Sequence, residues 1–263
     1  MTSSIKGRVS RELHDHVMLI GLDRVAKRNA FDLELLNQLS LAYGEYERED
    51  QARVLVVFAH GEHFTAGLDL AEAGPALING WQVPEGGCDP WGVFAGPRVS
   101  KPVIVAAQGY CLTLGIELML ASDINLCAST TRFAQLEVHR GIFAFGGATL
   151  RLHQIAGWGN AMRWLLTGDE FDAQEACRMG LVQEVTAPED LLPYALLLAG
   201  RIAEQAPLAI RATIASARQA VLEGETVAAQ ALPAMVNHLM GTEDAKEGLL
   251  AMQERRPGIF KGV

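Results

Sequence analysis

Three short runs of apolar, largely β-branched residues set the strongest constraint on the fold of this chain. They are VMLIGL from Val17, RVLVVFA from Arg53 and PVIVAAQ from Pro102, and polar residues or glycines bound each of them. This pattern is typical of buried strands. DINLC from Asp123 is a fourth, shorter candidate. The sequence therefore predicts a core of at least four buried strands.

Helical patterns lie between and after these strands. LELLNQLSLAYGEYERE carries apolar residues at helical spacing, and Asp32 stands where a helix N-cap is expected. After about Gly147 the strand signals nearly vanish, and seven helical patterns follow, from ATLRLHQIAG to EDAKEGLLAMQERR. An α/β layered domain that gives way to a largely helical region is predicted. Residues 74–92 carry no pattern, and a surface lid or pocket loop is predicted there.

The composition is typical of an ordinary soluble globular protein. Hydrophobic residues make up 49% of the 263 residues, and charged residues make up 20%. The net charge of −9 argues against nucleic acid or an anionic membrane as the main partner. The four cysteines show no C-x-x-C pair, and the N-terminus lacks a signal-peptide segment, so a cytoplasmic location is expected. His60 and His63 lack a third ligand, so a surface turn is a better interpretation than a zinc site.

Glu117 stands out because it lies in LTLGIELMLASD, a run of apolar and small residues. A buried carboxylate is costly unless it is hydrogen-bonded, neutralised or used in chemistry. A helix is predicted to begin near Leu114, which places Glu117 about one turn inside it. The first amides of a helix lack intrahelical partners and favour a developing negative charge. The alternative is a first-turn acid that faces solvent.

Two further segments carry related features. HFTAGLDLAE follows a predicted strand, and its small residues let the backbone approach a ligand with the N–H of Leu68 turned outward. RFAQLEVHRGIFAFGGATLRL holds Glu137 in a mostly apolar loop, twenty residues after Glu117. Taken singly, an ordinary turn and a surface glutamate are the simpler interpretations of these two segments.

Together the segments resemble the crotonase (enoyl-CoA hydratase/isomerase) superfamily. KRNAFDLELLNQL resembles its early CoA-binding loop and helix, HFTAGLDL its A-G-x-D segment, and KPVIVAAQGYCLTLGIELMLASDINLCAS its central strand and glutamate helix. RFAQLEVHRGIFAFGGATLRL resembles its second glutamate segment, and EGLLAMQERRPGIFKG its C-terminal end. The resemblance implies an α/β crotonase (ClpP/crotonase-like) fold. A spiral of ββα units is expected over residues 1–198, and a helical trimerisation region over residues 199–263.

The resemblance also implies a reaction. The substrate is expected to be an acyl-CoA thioester whose carbonyl oxygen accepts hydrogen bonds from the backbone N–H groups of Leu68 and Leu114. Glu117 is expected to help activate a water, and Glu137 to protonate the carbon next to the carbonyl, as in an enoyl-CoA hydratase. Two nearby carboxyls in an apolar site should titrate as a coupled pair. No metal and no cofactor are expected, because coenzyme A is part of the substrate.

The resemblance implies that a further set of residues binds coenzyme A. It consists of Lys27, Arg28, Ala30, Ala66, Asp69, Leu70, Phe260 and Lys261. A solvated surface charge is the alternative for each basic member. Phe260 is expected at the adenine of an adjoining subunit, in a homotrimer or a dimer of trimers.

The choice of reaction within the family depends on a few positions. Glu117 favours a hydratase, because the Δ3,Δ2-enoyl isomerases mostly rely on the second glutamate alone. Dienoyl isomerases place an aspartate where this chain has Phe145. The chain reads VHRGIFAFGG where many hydratases have a Pro-Gly turn, so Phe143, Phe145, His139 and Arg140 are expected to shape the acyl pocket. Isomerisation, thioester hydrolysis and a non-catalytic acyl-CoA-binding role are the alternatives.

Overall fold

The computed structural model describes residues 6–263, apart from the side chain of Ile78. The strands are β1 (Arg8–His14), β2 (Val17–Asp23), β3 (Val54–Ala59), β4 (Val103–Ala107), β5 (Tyr110–Leu112), β6 (Ile124–Ala128), β7 (Arg132–Ala134), β8 (Phe171–Asp172) and β9 (Glu184–Thr186). The α-helices are α1 (Leu33–Arg48), α2 (Gly74–Ile78), α3 (Leu114–Ala121), α4 (Ala148–Ala156), α5 (Trp158–Thr167), α6 (Ala173–Arg178), α7 (Leu191–Ala203), α8 (Pro207–Glu223), α9 (Glu225–Met240) and α10 (Glu243–Glu254). Short 3-10 helices cover Val25–Lys27, Glu137–Arg140 and Pro188–Asp190.

A six-stranded sheet holds the centre of the molecule, in the order β1-β2-β3-β4-β6-β9. β1 runs antiparallel to β2, and the other neighbours are parallel. The four strands predicted from the apolar runs are therefore confirmed as β2, β3, β4 and β6. β5, β7 and β8 form a smaller sheet. β5 precedes α3 in the chain, and β7 and β8 follow it.

Helices cover both faces of the large sheet. Alternate residues of a strand point to opposite faces, so Ile20 and Val57 pack with Leu39 of α1. Val56 and Ala199 of α7 meet on the other face. Burial on both faces explains why these strands read as unbroken apolar runs.

The strands that the sequence did not predict are short or polar. β1 is RVSRELH, an edge strand with mostly exposed side chains, so it lacks an apolar run. β8 has two residues and β9 has three, and so few residues carry no detectable alternation. Both lie after Gly147, where only helices were predicted.

The helical predictions are confirmed. α1 begins directly after Asp32, whose carboxylate accepts the N–H of Leu35. The predicted division at residue 198 stays a prediction, and it falls inside α7, whose Leu191 and Ala203 both pack against the sheet. Residues 74–92, predicted as a surface lid or pocket loop, begin with the short helix α2 and end in a buried stretch at residues 88–91, and their role as a lid or pocket loop stays a prediction.

The C-terminal helices present apolar side chains to solvent in the single chain. On α8 and α9 they include Val221, Leu222, Val236 and Met240. None of the helices in the described residues 6–263 has the length and apolar character that a bilayer span requires.

Asp32 is expected to stabilise the protein more than an ordinary helix cap. Its carboxylate also accepts the N–H of Gly7 at 2.9 Å and lies 3.1 Å from Nε of the buried Arg24. We expect Asp32→Ala to lower the free energy of unfolding by about 3–5 kcal/mol, because it leaves a buried charge without one of its partners. Asp172→Ala, which removes the exposed cap of α6, should cost about 1 kcal/mol. Urea denaturation of both variants measures the difference, and equal losses would contradict the special role of Asp32.

Candidate active site

A cavity of about 200 Å³ lies where four segments meet: the loop after β3, the start of α3, the 3-10 helix after β7 and the turn before α4. Its wall consists of Ala66, Leu68, Leu70, Thr113, Leu114, Glu117, Leu136, Glu137, Arg140, Ile142 and Phe145. Most of these residues are apolar, and two are carboxylic acids. The two glutamates singled out in the sequence therefore share one cavity.

Glu117 lies in the first turn of α3 and is only 1% exposed. Its Oε1 accepts the backbone N–H of Ala148 at 3.1 Å, at the start of α4. A Cβ at Gly146 would collide with the Glu117 carboxyl, so only glycine lets this turn come so close. The Gly-Gly of the VHRGIFAFGG segment thus allows backbone amides to hold the carboxyl of Glu117 in place.

Glu137 begins the 3-10 helix Glu137–Arg140 and is 7% exposed. In the amide orientation that satisfies both groups, the buried side chain of Gln135 donates from its nitrogen to both carboxyl oxygens of Glu137 at 3.0 Å. Gln135 therefore orients the second acid. No sequence signal pointed to this role of Gln135.

Burial raises the pKa of both carboxyl groups from the ordinary value near 4.5. The pKa of Glu117 rises to about 8, and the negative charge of nearby Glu137 adds to the effect of burial. The pKa of Glu137 rises to about 7, again because the group is taken out of water. Close to neutral pH the pair therefore holds about one proton, which is the condition for acid and base chemistry in one site.

Leu68 lines the cavity, and its backbone N–H has no protein partner in the described part of the chain. The N–H of Phe31 donates to the carbonyl of Gly67 at 2.8 Å, and the N–H of Asp69 donates to the carbonyl of Phe31 at 2.9 Å. These two bonds hold the loop on both sides of Leu68. Within residues 6–263, the N–H of Leu68 itself donates to no protein group.

The backbone N–H of Leu114 is equally free within the described part of the chain. It is the first residue of α3, so its N–H has no intrahelical acceptor. The indole of the buried Trp91 donates to the carbonyl of Leu114 at 3.0 Å, which fixes the start of the helix from the other side. Two free amides at one cavity are a preformed site for a developing oxyanion.

Thr113 directly precedes Leu114 and packs against Gly67, the residue before Leu68. Its backbone conformation is unusual. Its φ is +49°, which is rare for a β-branched residue and stores roughly 1–3 kcal/mol of strain. Its side chain fills the place that a Cβ of Gly67 would need. The backbone strain at Thr113 is thus located at the point where the Leu68 loop meets the start of α3.

Arg24 fixes the Leu68 loop, although no sequence signal pointed to it. Its side chain is fully buried and contacts Asp32 at 3.1 Å, Asp69 at 2.8 Å and Glu72 at 3.1 Å. Burial alone would raise the pKa of Asp69, but the hydrogen bond from Arg24 lowers it below its ordinary value. The Arg24 guanidinium therefore joins the start of α1 to the loop that carries Leu68.

Comparison with known proteins identifies the family. The sequence family described as enoyl-CoA hydratase/isomerase matches residues 12–263. The chain belongs to the enoyl-CoA hydratase/isomerase family.

Relatives and solved structures of this family match over almost their whole length. The 2,3-dehydroadipyl-CoA hydratase of Escherichia coli (strain K12) is 34% identical in an alignment of 262 positions that covers 97% of this chain and 98% of that protein. The crotonyl-CoA hydratase of Syntrophomonas wolfei subsp. wolfei is 32% identical, over 95% and 96% of the two chains. A crystal structure of a probable enoyl-CoA hydratase/isomerase from Mycobacterium abscessus has a TM-score of 0.95 and 48% identity, over 97% and 98% of the chains. The predicted crotonase fold is confirmed.

The residues expected to bind coenzyme A fall into two places. Ala66 donates its N–H to the carbonyl of Arg28 at 2.8 Å, so the loop of residues 27–30 lies against residues 66–70. Six of the eight expected residues therefore lie together beside the cavity. Phe260 and Lys261 lie elsewhere in the chain: Arg53 donates to the carbonyl of Phe260, and Lys261 donates its N–H to Asp244. Their role at an adjoining subunit stays a prediction.

The residues expected to shape the acyl pocket lie in different surroundings, and their role toward an acyl group stays a prediction. Phe145 and Arg140 line the cavity, but Phe143 and His139 do not. Phe143 is 63% exposed, and His139 Nε2 lies 2.7 Å from the carbonyl oxygen of Thr167. The left-handed Gly141 ends the 3-10 helix and turns the chain between these residues.

The described residues contain no cluster of three or more histidines, cysteines, aspartates or glutamates suited to a metal ion. His60 Nε2 lies 2.8 Å from the hydroxyl of Ser10, and His63 Nδ1 accepts the N–H of Tyr110 at 3.2 Å. The two histidines thus have separate protein partners.

The raised pKa of Glu117 predicts a pH-dependent stability difference. Between pH 4.5 and about 8, the unfolded state ionises this glutamate while the folded state keeps it protonated, so the folded state binds more protons and loses stability as pH rises. We expect Glu117→Gln, which keeps an acceptor for the Ala148 N–H, to unfold like the unmodified protein below pH 4.5. Above pH 8 the variant should be more stable by about 1–4 kcal/mol. Urea titrations at pH 4 and pH 9 measure this, with the exposed Glu189→Gln as matched control. A difference that does not depend on pH would contradict the raised pKa.

Proposed function

We propose that this protein is an enoyl-CoA hydratase that adds water syn across the C2=C3 double bond of a 2-enoyl-CoA thioester. One observation carries the proposal: two buried carboxyls, Glu117 and Glu137, line the same cavity as the free backbone N–H groups of Leu68 and Leu114. The acids supply the proton chemistry, and the amides supply the site for negative charge. The names of the relatives from Escherichia coli and Syntrophomonas wolfei support 2-enoyl thioesters as the substrate class.

In the proposed reaction, the thioester oxygen accepts hydrogen bonds from the N–H groups of Leu68 and Leu114. Both donors are fixed before the substrate arrives, so they stabilise charge on this oxygen without reorganisation. The start of α3 adds the positive end of its helix dipole at the same point. Electrons of the C2=C3 bond can then move onto the oxygen as an enolate.

Water is added by the two glutamates in sequence. Ionised Glu117 accepts a proton from the water as its oxygen bonds to C3, and the C2=C3 electrons move toward the thioester oxygen. Protonated Glu137 then donates its proton to C2 as the enolate collapses to the thioester. The net change is one water added to the alkene, with one proton passed from Glu137 to the product and one gained by Glu117.

The two glutamates share a proton near neutral pH, because burial raises the pKa of Glu117 to about 8 and that of Glu137 to about 7. Water addition uses the state with the proton on Glu137. A water held between the two carboxyls can transfer the proton, and the same transfer resets the pair after each turnover.

The alternative reactions of the family have less support. Phe145 lines the cavity where dienoyl isomerases carry an aspartate, and a phenyl ring cannot carry a proton. Double-bond isomerisation needs a single acid, whereas two buried acids are present here. Product analysis by mass separates these reactions, since hydration adds one water, isomerisation leaves the mass unchanged and thioester hydrolysis releases free coenzyme A.

The proposed reaction has consequences for the cofactor, the assembly and the location of the protein. Coenzyme A enters as part of the substrate, and no other cofactor is required by the steps above. The exposed apolar side chains of α8 and α9 support assembly into a homotrimer or a dimer of trimers, which sedimentation analysis tests. Four free cysteines support a cytoplasmic location.

Removing either acid should strongly reduce hydration. We expect Glu137→Gln and Glu117→Gln each to lower kcat for crotonyl-CoA hydration by about 10²–10⁴, the usual contribution of a positioned acid or base. The decrease in enoyl absorbance measures the rate. Glu189→Gln removes a glutamate charge outside the cavity and should leave the rate unchanged. Normal turnover by Glu137→Gln would refute the assigned role.

The role of the Leu114 N–H can be tested through its position at the start of α3. Proline is tolerated at the first residue of a helix, where the N–H has no intrahelical partner. We expect Leu114→Pro to have a kcat/KM about 10²–10³ lower than Leu114→Ala, since both lose the leucine side chain but only proline loses the donor. Circular dichroism of the two variants controls for folding. Equal rates in two folded variants would exclude the N–H as an oxyanion donor.

A further inference from the structure

Arg140 is a cation on the wall of the cavity that has no anionic partner in the described part of the chain. It lines the cavity and is exposed. Among residues 6–263, no carboxylate lies within 4 Å of its guanidinium, and its side chain makes no hydrogen bond. Leu70, Leu136, Ile142 and Phe145 supply apolar wall nearby. An unpaired guanidinium beside an apolar wall is suited to a ligand that brings its own negative charge.

The position of Arg140 relative to Glu137 fixes where that charge would lie. The two residues are the first and last of the 3-10 helix Glu137–Arg140. Side chains at i and i+3 of a 3-10 helix eclipse each other, and three residues rise about 6 Å along its axis. Both residues line the cavity, so Arg140 lies one turn beyond the acid that protonates C2.

The phosphates of coenzyme A have other candidate partners. Lys27 and Arg28 lie on the loop that packs against Ala66, on a different element from Arg140. Arg140 follows Glu137, the acid assigned to the acyl carbons. We therefore assign Arg140 to the acyl group of the substrate rather than to the nucleotide.

We infer that Arg140 binds a carboxylate at the far end of the acyl group, so that the substrates are 2-enoyl-CoA thioesters of dicarboxylic acids. This inference rests on the proposed hydratase function and names its substrate class. In a six-carbon diacid, the terminal carboxyl carbon lies four bonds beyond C2, roughly 5 Å away when the chain is extended. A guanidinium carried one 3-10 turn from Glu137, at the exposed side of the cavity, is placed to meet such a carboxylate. The protein carries a net charge of −9, so a preference for an additional carboxylate has to come from a local cation.

Binding of two matched ligands tests the inference without turnover. Adipoyl-CoA and hexanoyl-CoA are saturated six-carbon thioesters that differ only in the terminal carboxylate. By isothermal titration calorimetry, we expect the unmodified protein to bind adipoyl-CoA at least about 10-fold more tightly, as a charge-assisted hydrogen bond provides. In Arg140→Leu the ratio of the two Kd values should fall by about 10–100-fold, and Arg140→Lys should retain part of it. Arg201→Leu removes an exposed arginine of α7 outside the cavity and should keep the original ratio.

Three results would overturn the inference. Equal binding of the two ligands by the unmodified protein would show that no carboxylate site exists. Equal weakening of both ligands in Arg140→Leu would place Arg140 at the coenzyme A portion instead. An unchanged Kd ratio in Arg140→Leu would assign the preference to another residue.

Turnover separates this inference from the proposed function. We expect the kcat/KM ratio of 2-hexenedioyl-CoA to 2-hexenoyl-CoA to fall in Arg140→Leu by the same 10–100-fold as the Kd ratio. If neither thioester gains water while adipoyl-CoA still binds through Arg140, the hydratase proposal fails and the carboxylate site stands. If both thioesters are hydrated with equal kcat/KM by the unmodified protein, the hydratase proposal stands and the inference fails.

Discussion

The buried guanidinium of Arg24 is the interaction on which both the fold and the site depend. It binds Asp32, which caps α1, and Asp69, which follows the free N–H of Leu68 in the loop after β3. A buried arginine is stable only when its donors are met by acceptors, so the positions of helix and loop are fixed together. The loop that carries the first of the two proposed oxyanion donors is thus held by an ion pair in the core. The second, at Leu114, is held by the start of a helix and by the indole of Trp91.

The burial of Glu117 is the second constraint, and it explains the glycines before α4. A carboxyl that is 1% exposed loses the water that would solvate its charge, so its pKa rises to about 8. The N–H of Ala148 offsets part of that loss, and the approach of this turn requires that residue 146 have no Cβ. The same contact makes α4 part of the site. A glutamate that reads as an anomaly in an apolar run is therefore supported by a segment thirty residues later in the chain.

The sequence predicted the elements that carry long apolar patterns and missed those that depend on contacts between distant residues. The strands β2, β3, β4 and β6 were found because burial on both faces leaves an unbroken apolar run, whereas the polar edge strand β1 leaves none. Family resemblance singled out Glu117 and Glu137, and the fold brings them to one cavity. Arg24 and Gln135 were missed, because an arginine or glutamine in isolation usually means a solvated surface side chain. The sequence alone did not show which residues of the VHRGIFAFGG segment border the cavity: Arg140 and Phe145 do, whereas Phe143 lies in solvent after the turn at Gly141.

The electrostatics of the cavity differ from those of the whole molecule, and this difference reconciles an acidic protein with the anionic substrate proposed for it. The net charge of −9 is distributed over the chain, but in the cavity Glu117 and Glu137 share about one proton near neutral pH. The remaining negative charge is opposed by groups of positive or partly positive charge. They are two free N–H groups, the amino-terminal ends of α3 and α4, and the guanidinium of Arg140. Helix ends and amides act over a few ångströms and are strongest where water is excluded. Developing negative charge is therefore favoured in this cavity, although the net charge of the protein is negative.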